Sequence, residues 1–518
     1  MSFSEQTIPH ASKRQGLPWY RRPGSWGRWY LIAYTLLAGL LGYLAFSHWG
    51  YDDPFITYRY AHNLAHGLGF VYNPGEPVLS TTTPLFTLIL AGLSVVWPGD
   101  DLQLIPRLAL VLGAVSLPLG GLCLWDLGKQ WKSGAVGWVG LLLYPAFPLV
   151  VSTISSETPL YLAFCLATFA SYQRRNYSLT ALCAALAALT RPDGLLLVVP
   201  LAFDHFLRRR PIHWKAVGIY LVLILAWSTF AWGYFGSPLP VTLAAKHNQG
   251  NLAVSVRFAA GIFYILQQYT AWPYLLAGML SLVGGLGALI RAVTMSTEGH
   301  DAPGSLEPLL ILWWGLLYFT AYAALGVTRY FWYYAPLVPP FIIALGLGLD
   351  QISSLLQRLT FRLNWSLRHR FLAVLPSFAI ITLLLVTQAN DLWQVRKTPD
   401  PRLELFRPAG QWLAQNTPPG ASVGALEVGI IGYYAQRPMI DFAGLIQPDI
   451  AAQLTTTYED AAVWAVNQYQ PGYLALFSGM APRLEQGYTA QSCQVLTTFP
   501  GTPYHVPYNI VIYQCTDH

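Results

Sequence analysis

Long apolar stretches recur along the first 389 residues of the chain, and they constrain its fold more than any other feature. An α-helix needs about 20 apolar residues to cross a bilayer core roughly 30 Å thick. Eleven stretches reach or approach that length, near residues 29–48, 104–127, 135–151, 157–173, 177–190, 195–207, 216–235, 271–290, 308–327, 334–356 and 371–389. The sequence therefore predicts a polytopic α-helical membrane protein with about 11 transmembrane helices.

The composition excludes two other classes of protein. Only 10% of the residues are charged and 54% are hydrophobic, whereas a typical soluble domain is roughly 25% charged. A disordered chain requires low hydrophobicity and high charge, so disorder is excluded. The 30 Lys and Arg residues give a net charge of +6 but form no concentrated patch, so a nucleic-acid binder is also excluded.

The distribution of charges indicates the orientation. If the N-terminus is cytoplasmic, eleven spans place 18 of the 30 basic residues inside and 17 of the 24 acidic residues outside. The inner basic clusters are Lys13, Arg14, Arg21, Arg22 and Arg28; Lys129 and Lys132; Arg174 and Arg175; Arg208, Arg209, Arg210 and Lys215; Arg291; and Arg358, Arg362, Arg368 and Arg370. This pattern follows the positive-inside rule. We expect a multi-pass protein of the cytoplasmic membrane with its N-terminus inside and its C-terminal region outside.

Three regions follow from this topology. Residues 1–28 form the cytoplasmic N-terminal segment, 29–389 the membrane module and 390–518 the outer region. No small-x-small cleavage site follows the first span, so we expect it to remain as an anchor. The apolar segment Pro84–Trp97 has only 14 residues, and counting it as a span would invert every later loop. We therefore expect an interfacial or re-entrant helix there.

The region 390–518 differs in composition from the membrane module. Proline-rich punctuation separates short helix and strand signals, which is typical of a small α/β domain. The predicted helices are Leu403–Asn416 and Ala461–Tyr469, and the predicted strands are Ser422–Leu426, Tyr473–Phe477, Gln494–Thr498 and Ile510–Tyr513. Cys493 and Cys515 both lie in this exported region, where oxidising conditions favour a disulfide between them.

The first outer loop, residues 50–103, begins with two adjacent carboxylates, Asp52 and Asp53, where the first span leaves the bilayer. Acidic residues at a membrane interface can be merely solvated, and adjacent helical residues do not share a face. The alternative is catalytic: one carboxylate acts as a general base on an acceptor hydroxyl. The second carboxylate then orients the first or binds a metal.

Several motifs along the chain carry a family resemblance. The first loop contains Tyr51–Ala61, Asn63–Glu76 and Thr83–Leu85. Further motifs are Leu189–Gly194, Phe235–Pro240 with Lys246, Arg329–Tyr330 before Pro336, Glu427–Tyr434, and Ile440–Leu445. Together they resemble the GT-C superfamily of membrane glycosyltransferases. The subgroup most similar contains terminal arabinofuranosyltransferases, and protein O-mannosyltransferases and aminoarabinose transferases are more distant.

The resemblance implies a GT-C-like membrane module and a polyprenyl-phosphate sugar donor used on the outer membrane face. Asp52 matches the catalytic aspartate of the family's first loop, and Asp53 matches a second acidic position. The resemblance implies Asp52 as the base and Asp53 as its assistant. Every matched motif lies in a predicted outer region, in agreement with the topology derived from charge.

A phosphate leaving group requires cations close to the membrane, where an unpaired charge is otherwise costly. The outward candidates are Arg59, Arg191, Lys246 and Arg329, because Arg grips phosphate as a fork and Lys acts as a point charge. Ordinary snorkelling of long side chains at the interface is the alternative. The aromatic run after Arg329 includes Tyr330 and Tyr333, which could stack on a sugar or belong to an aromatic belt.

Other polar residues leave alternatives open. His62 and His66 are spaced four apart, as in some metal sites, but a solvated helix face is the default interpretation. Glu427 and Asp441 lie near turns of the outer region, where acceptor binding, loop geometry and internal pairing are equally plausible. Two adjacent carboxylates supply few ligands for a metal ion. The sequence therefore assigns no cofactor, and binding of a divalent cation remains an alternative.

The sequence therefore predicts a glycosyltransferase that moves a sugar, arabinofuranosyl by the resemblance, to a hydroxyl of an extracytoplasmic glycan, lipid or protein. Hexosyl or mannosyl transfer is the alternative within this class. A lipid-linked-sugar flippase and a non-catalytic membrane scaffold are alternatives outside it. A flippase needs polar residues near the bilayer midplane, whereas the ionisable residues here lie at span ends and in outer loops.

Overall fold

The computed structural model describes residues 25–97, 101–297, 307–362, 374–398 and 400–516. The N-terminal helices are Ser25–Phe46, Asp53–Ala65, Pro84–Val96, Leu104–Gln130, Gly134–Leu142, Pro148–Val151, Thr158–Gln173 and Tyr177–Thr190. The following helices are Val198–Leu207, Trp214–Phe235, Thr242–Asn251, Phe258–Leu266, Trp272–Thr297, Glu307–Leu325, Val338–Arg362 and Leu375–Lys397. Residues 1–24 of the predicted cytoplasmic segment 1–28 lie outside the described residues.

Seven helices within the described ranges are long and apolar enough to cross a membrane. Two of them are peripheral, since only 11% of the apolar window in Trp29–Phe46 and 6% of that in Trp214–Phe235 is buried by protein. Leu104–Gln130 and Phe331–Leu359 are central, with 56% and 72% buried. Because the outer helices expose leucine, valine and tryptophan side chains around them, this part of the chain is a multi-pass membrane protein.

The other four predicted spans correspond to shorter helices. The segment 135–151 contains Gly134–Leu142 and a short turn of helix, and 157–173 matches Thr158–Gln173. The spans 177–190 and 195–207 match Tyr177–Thr190 and Val198–Leu207, with a 3-10 turn at Pro192–Leu197 between them. Proline at position 192 lacks an N–H and favours this break. The structure therefore supports a polytopic helical module with seven long candidate spans.

Two helices of the first loop cover one end of the module. The loop helix, Asp53–Ala65, is buried along most of its length. Pro54 lies in its first turn, where backbone N–H groups have no partner within the helix, so the missing N–H of proline costs no hydrogen bond. The interfacial helix, Pro84–Val96, packs against it through residues such as Phe86 and Leu90. Its other face exposes Leu88, Leu93, Val95 and Val96. This apolar outer face agrees with the predicted placement at a membrane interface.

The C-terminal domain is a mixed α/β unit of the described residues 400–516. Its strands are β1 (Val423–Ala425), β2 (Met439–Asp441), β3 (Tyr473–Phe477), β4 (Cys493–Phe499) and β5 (Ile510–Cys515), in the order β2-β1-β3-β5-β4. β1 pairs in parallel with β2 and β3, whereas β5 is antiparallel to β3 and β4. Its longer helices are the linker helix, Pro401–Asn416, and Tyr458–Tyr469, with the short helices Ile430–Ala435 and Pro448–Ala452.

Four of these strands and both longer helices match the predicted elements to within a few residues. Sequence patterns predicted β3 with the same bounds that the structure shows. The structure joins Cys493 and Cys515 by a disulfide across the paired strands β4 and β5. Cys123, Cys165 and Cys183 are free thiols in the helical module.

Candidate functional site

The two carboxylates of the first loop point to different partners. The first helix ends at Phe46, and the chain turns at residues 47–52 into the loop helix, which begins at Asp53. Because neighbouring side chains on a helix are separated by about 100°, Asp52 and Asp53 diverge. Asp52 reaches the C-terminal domain, whereas Asp53 reaches the helix Thr242–Asn251.

Asp53 forms an ion pair with Lys246. The Lys246 Nζ donates to Asp53 Oδ1 at 3.0 Å and Oδ2 at 3.3 Å. The Asp53 side chain is 32% exposed and that of Lys246 is 10% exposed. Burial acts to lower the pKa of Lys246, but Asp53 and Tyr333 outweigh it and hold the pKa above its ordinary value. The lysine is therefore a charged group beside a carboxylate that solvent can reach.

Aromatic rings surround the Lys246 ammonium group. Its Nζ lies 5.4 Å from the ring centre of Tyr330, 5.8 Å from that of Trp332 and 5.6 Å from that of Tyr333. Tyr51 stacks on Trp332 with ring centres 4.9 Å apart. Such faces attract a cation, so this run does more than form a belt at the headgroup level. We call Asp53, Lys246, Tyr330, Trp332 and Tyr333 the Asp53–Lys246 cluster.

Arg191 lies next to this cluster but has its own carboxylate partners. Its Nη2 is 2.8 Å from Asp193 Oδ2 and its Nη1 is 3.3 Å from Glu157 Oε1. The side chain is only 5% exposed. The guanidinium carbon lies 5.8 Å from the ring centre of Tyr333, on which Lys246 also packs. Arg191 therefore supports the cluster, with its charge already offset by two acids.

Asp52 links the first loop to the C-terminal domain. It is 7% exposed, and its Oδ2 accepts from the Gly429 N–H at 3.1 Å and its Oδ1 from the Ile430 N–H at 2.7 Å. A Cβ on Gly429 would lie 2.1 Å from the Asp52 carbonyl oxygen, so only glycine allows this approach. Both carboxylate oxygens are thus committed to backbone donors.

Glu427 forms a carboxyl pair with Asp52. Burial raises the pKa of Glu427 well above its ordinary value, and the Asp52 carboxylate raises it further. The Arg402 guanidinium, 3.9 Å from Glu427 Oε1, opposes this effect without cancelling it. Because the two N–H donors favour a charged Asp52, Glu427 is the member of the pair that holds the proton.

Arg59 also joins the loop helix to the C-terminal domain. It is 2% exposed, and its guanidinium donates to the carbonyl oxygens of Tyr72 at 3.0 Å, Arg437 at 2.9 Å and Gly432. Every nitrogen of its fork meets a backbone carbonyl of another segment. The structure thus places Arg59 in the contact between domains and does not bring it to Lys246.

The remaining predicted cation and acid lie apart from the cluster. Arg329 is exposed, and its guanidinium carbon lies 4.0 Å from the ring centre of Tyr264. Asp441 is fully buried and accepts from the N–H groups of Ala443, Leu445 and Ile446. Burial raises the pKa of Asp441 to about 7 despite these bonds. Its geometry is that of a loop-stabilising side chain.

The donor sets do not fit a divalent cation well. Asp53 accepts from Lys246 through both oxygens and Asp52 accepts from backbone N–H groups, so a cation would have to compete with these donors. The rings of His62 and His66 stack 4.0 Å apart. Across the described ranges no three His, Cys, Asp or Glu side chains gather as metal ligands. We derive no catalytic step through a metal.

Sequence reasoning did not single out some residues of this region. Glu157 and Asp193 neutralise Arg191, and Gln249 accepts from the Tyr330 hydroxyl at 3.0 Å while donating to the Ala443 carbonyl. The acid that begins a predicted span, Glu157, was a signal that could have been used, since a charge at that depth needs a partner. No local pattern indicates the pairing of Gln249.

Known proteins share parts of this architecture. Residues 394–513 match a family described as a domain of unknown function, DUF8728. Over 307 residues the chain is 27% identical to the terminal beta-(1->2)-arabinofuranosyltransferase of Mycobacterium tuberculosis. That match covers 54% of this chain and 46% of the relative, so the chain spans about half the length of the curated protein it matches.

Two solved structures have the same overall fold. ArnT from Cupriavidus metallidurans bound to undecaprenyl phosphate superposes with a TM-score of 0.59 at 14% identity, covering 93% of this chain and 98% of ArnT. The archaeal oligosaccharyltransferase AglB from Archaeoglobus fulgidus, in complex with an inhibitory peptide and a dolichol-phosphate, gives a TM-score of 0.59 at 12% identity. That alignment covers 94% of this chain and 76% of AglB.

These likenesses extend over both the helical module and the C-terminal domain. The prediction from the first-loop motif is thereby confirmed at the level of fold. The chain is a multi-pass membrane protein with the GT-C fold of membrane glycosyltransferases.

Proposed function

We propose that this chain is a glycosyltransferase that moves one sugar from a polyprenyl-phosphate donor to a hydroxyl group of an extracytoplasmic acceptor. The observation that carries the proposal is the Asp53–Lys246 pair, a cation and a partly exposed carboxylate between aromatic rings. A transferase of this kind needs one group for the departing phosphate and one for the incoming hydroxyl. The pair supplies both within 3.3 Å.

Lys246 is the proposed partner of the donor phosphate. Its pKa lies above the ordinary value, so it stays charged at neutral pH. A phosphate oxygen arriving at Nζ competes with Asp53 for the same hydrogen bonds, because an ammonium has only three donors. Donor binding therefore releases the Asp53 carboxylate. Arg329 is a second candidate for the phosphate: it is exposed, and the N–H of its neighbour Thr328 donates to the Lys246 carbonyl oxygen at 3.4 Å.

The released Asp53 is the proposed base, and this assignment differs from the one that the resemblance implies. Asp52 is 7% exposed with both oxygens on N–H groups, whereas Asp53 is accessible. In the proposed step Asp53 takes the acceptor hydroxyl proton while the acceptor oxygen bonds to the anomeric carbon. The bond between that carbon and the phosphate oxygen breaks, and polyprenyl phosphate leaves with the electron pair beside Lys246. General-base assistance of this kind contributes about 10²- to 10⁴-fold in rate.

Asp52, Arg59 and Arg191 are proposed to position the reacting groups. Asp52 and Arg59 bind the loop helix to the C-terminal domain. The Arg191 guanidinium packs against the Tyr333 ring. Tyr330 and Tyr333 are proposed to contact the sugar through their rings, and Glu427, beside Asp52, is proposed to help bind the acceptor. None of these contacts requires a cofactor.

The donor sugar is proposed to be arabinofuranose. Support comes from the 27% identity to the terminal beta-(1->2)-arabinofuranosyltransferase, which is named for the transfer of that sugar. The ArnT neighbour was solved with undecaprenyl phosphate and AglB with a dolichol-phosphate. We propose the same class of lipid carrier here. Hexose or mannose transfer to a glycan, lipid or protein is the alternative that the same assay tests.

The reaction is proposed to take place outside the cytoplasmic membrane. Residues that charge patterning places outside, such as Asp53, Arg191 and Lys246, meet at one cluster. Residues placed inside contact one another instead: Arg208 lies 3.4 Å from Glu307. Because residues of one predicted side contact each other, the chain must cross the membrane an even number of times between them. These contacts therefore support the predicted topology. The positive-inside rule then gives the absolute orientation.

The test is turnover by the purified full chain in nanodiscs. A panel of radiolabelled polyprenyl-phosphate sugars, including arabinofuranosyl and mannosyl forms, is incubated with and without arabinan oligosaccharide acceptors. Lys246→Met is the variant compared with the unmodified protein, because it removes the ammonium group while retaining a side chain of similar length. We expect release or transfer of one sugar by the unmodified protein and loss of this activity in the variant. No turnover of any donor, with a folded protein, would favour a flippase or scaffold.

A further inference from the structure

A cavity lies where the first helix, the helix Leu104–Gln130, the loop helix and the linker helix meet. Its volume is about 710 Å³, and its walls come from the end of the first helix, the start of Leu104–Gln130 and one face of the linker helix. We call it the outer cavity. The linker helix contributes Leu403, Arg407 and Gln411, which are spaced four apart and therefore share a face. The size suits a small ligand or a lipid headgroup.

The outer cavity is separate from the Asp53–Lys246 cluster. Phe55 and Tyr58 of the loop helix line the cavity, while Asp53 contacts Lys246. At about 100° per residue, Phe55 and Tyr58 lie roughly 140–160° around the loop helix from Asp53. The helix therefore stands between the two places, and a ligand in the outer cavity does not meet the proposed base.

The charged groups that face the outer cavity are mostly positive. Arg107, Arg407 and His48 line it, and none of its described lining residues is Asp or Glu. Arg107 pairs with Asp101 at 3.4 Å on an exposed surface. Arg407 packs over the Tyr434 ring at 5.5 Å, and its buried Nε has no hydrogen-bond partner among the residues that the structure describes. An unmatched guanidinium N–H of this kind calls for an acceptor.

Neutral polar groups complete the lining. Gln103 donates from Nε2 to the Tyr434 hydroxyl at 3.0 Å, and Gln411 of the linker helix also lines the cavity. His48 and Trp49 follow directly after the first helix, where the chain leaves the apolar stretch. Tryptophan at that position is typical of the headgroup level of a bilayer. The cavity is thus both polar and close to the lipid headgroups.

We propose that the outer cavity binds a phosphate group, held by Arg407 and Arg107 on the side of the loop helix opposite Asp53. Guanidinium groups form charge-assisted, forked hydrogen bonds with phosphate oxygens. The phosphate belongs to the headgroup of an anionic phospholipid or to a free phosphate ion. Because the walls join the first membrane helix to the linker helix, occupancy ties the C-terminal domain to the membrane surface. Binding at this position does not depend on the proposed transferase activity.

The first experiment measures lipid retention. The full chain is purified in mild detergent with equimolar phosphatidylglycerol and phosphatidylcholine, and bound lipids are counted by native mass spectrometry. We expect preferential retention of phosphatidylglycerol, reduced about tenfold or more by Arg407→Gln and by Arg107→Gln. Arg175→Gln is the matched control, because Arg175 is exposed and belongs to a predicted inner loop. Equal loss in the control variant would overturn the assignment of the site.

The second experiment tests the free ion. Thermal unfolding of the lipid-depleted protein is followed with inorganic phosphate and with chloride at matched ionic strength. A phosphate-specific rise in Tm that Arg407→Gln abolishes supports the site with the free ion as ligand. Arg407→Lys, which keeps the charge but loses the fork, should retain an intermediate effect. The proposal would be refuted if the protein showed no preference for phosphatidylglycerol and no phosphate-specific rise in Tm. This conclusion requires that the variants unfold at the same Tm in chloride.

Discussion

Replacement of Gly429 by alanine tests the contact between the first loop and the C-terminal domain. The backbone φ of Gly429 is −63°, which alanine adopts readily. A Cβ there would nevertheless lie 2.1 Å from the Asp52 carbonyl oxygen and 2.4 Å from its Oδ2. Ordinary contacts of carbon require well over 3 Å, so the two segments must separate by roughly 1 Å.

The expected loss follows from the bonds that such a shift breaks. Asp52 accepts from the N–H groups of Gly429 at 3.1 Å and Ile430 at 2.7 Å. Hydrogen bonds to charged groups contribute about 1.5–3 kcal/mol each, so losing both removes about 3–6 kcal/mol. Water cannot replace them readily, because Asp52 is only 7% exposed. For a domain of this size we expect Tm to fall on the order of 10 °C.

The assay is thermal unfolding in nanodiscs, followed through the 19 tryptophans, together with proteolysis of the C-terminal domain. Gly420→Ala is the matched control, since nothing lies within 4 Å of the Cβ it would add. Asp52→Asn combined with Gly429→Ala should cost little more than Gly429→Ala alone, because both changes disturb the same bonds. Equal Tm values for Gly429→Ala and Gly420→Ala would refute this interpretation of the contact.

Two further predictions concern buried charge. Arg191→Gln leaves Glu157 and Asp193 without their cation, so we expect a loss of about 3–5 kcal/mol in the free energy of unfolding; lost turnover at an unchanged Tm would instead indicate direct contact with the donor. The raised pKa of Glu427 means that the folded state keeps a proton that the unfolded chain releases near its ordinary carboxyl value. Stability should therefore fall as pH rises above the ordinary glutamate value of about 4.5 towards the raised pKa. Glu427→Gln should flatten this dependence of Tm on pH, and an identical slope would show that Glu427 does not hold the proton beside Asp52.

Local patterns in the sequence carried much of the fold. Apolar length and charge asymmetry predicted the helical membrane module, and alternation between turn signals predicted β3 with its observed bounds. The strand β2 was given no bounds from the sequence, because three residues are too few to show a period. The equally short β1 was predicted only as part of the longer segment Ser422–Leu426. The helices Gly134–Leu142 and Val198–Leu207 are shorter than a full crossing, so hydropathy alone does not decide how they sit in the bilayer.

The candidate site was less predictable, because partners separated by hundreds of residues decide what each charge does. The sequence marked Lys246 as a cation near the outer face, but only the fold shows that it meets Asp53 across 193 positions. Arg59 had the same local signature, yet it donates to carbonyls of the C-terminal domain. Similarly, the contact of Asp52 with Gly429 spans 377 positions. Residue type gave the candidates, and long-range packing shows which of them meet Lys246 and which meet the C-terminal domain.

The most direct test of the proposed mechanism compares Asp53→Asn with Asp52→Asn in the same nanodiscs, with kcat and Tm measured for both. We expect Asp53→Asn to lower kcat by about 10²- to 10⁴-fold. Tm should fall less than in Asp52→Asn, because the Asp53 side chain is 32% exposed and asparagine still accepts a hydrogen bond from Lys246. Asp52→Asn should lower Tm, since it disturbs bonds to Gly429 and Ile430. Full activity of Asp53→Asn, or abolished turnover of Asp52→Asn at an unchanged Tm, would contradict the assignment of Asp53 as the base.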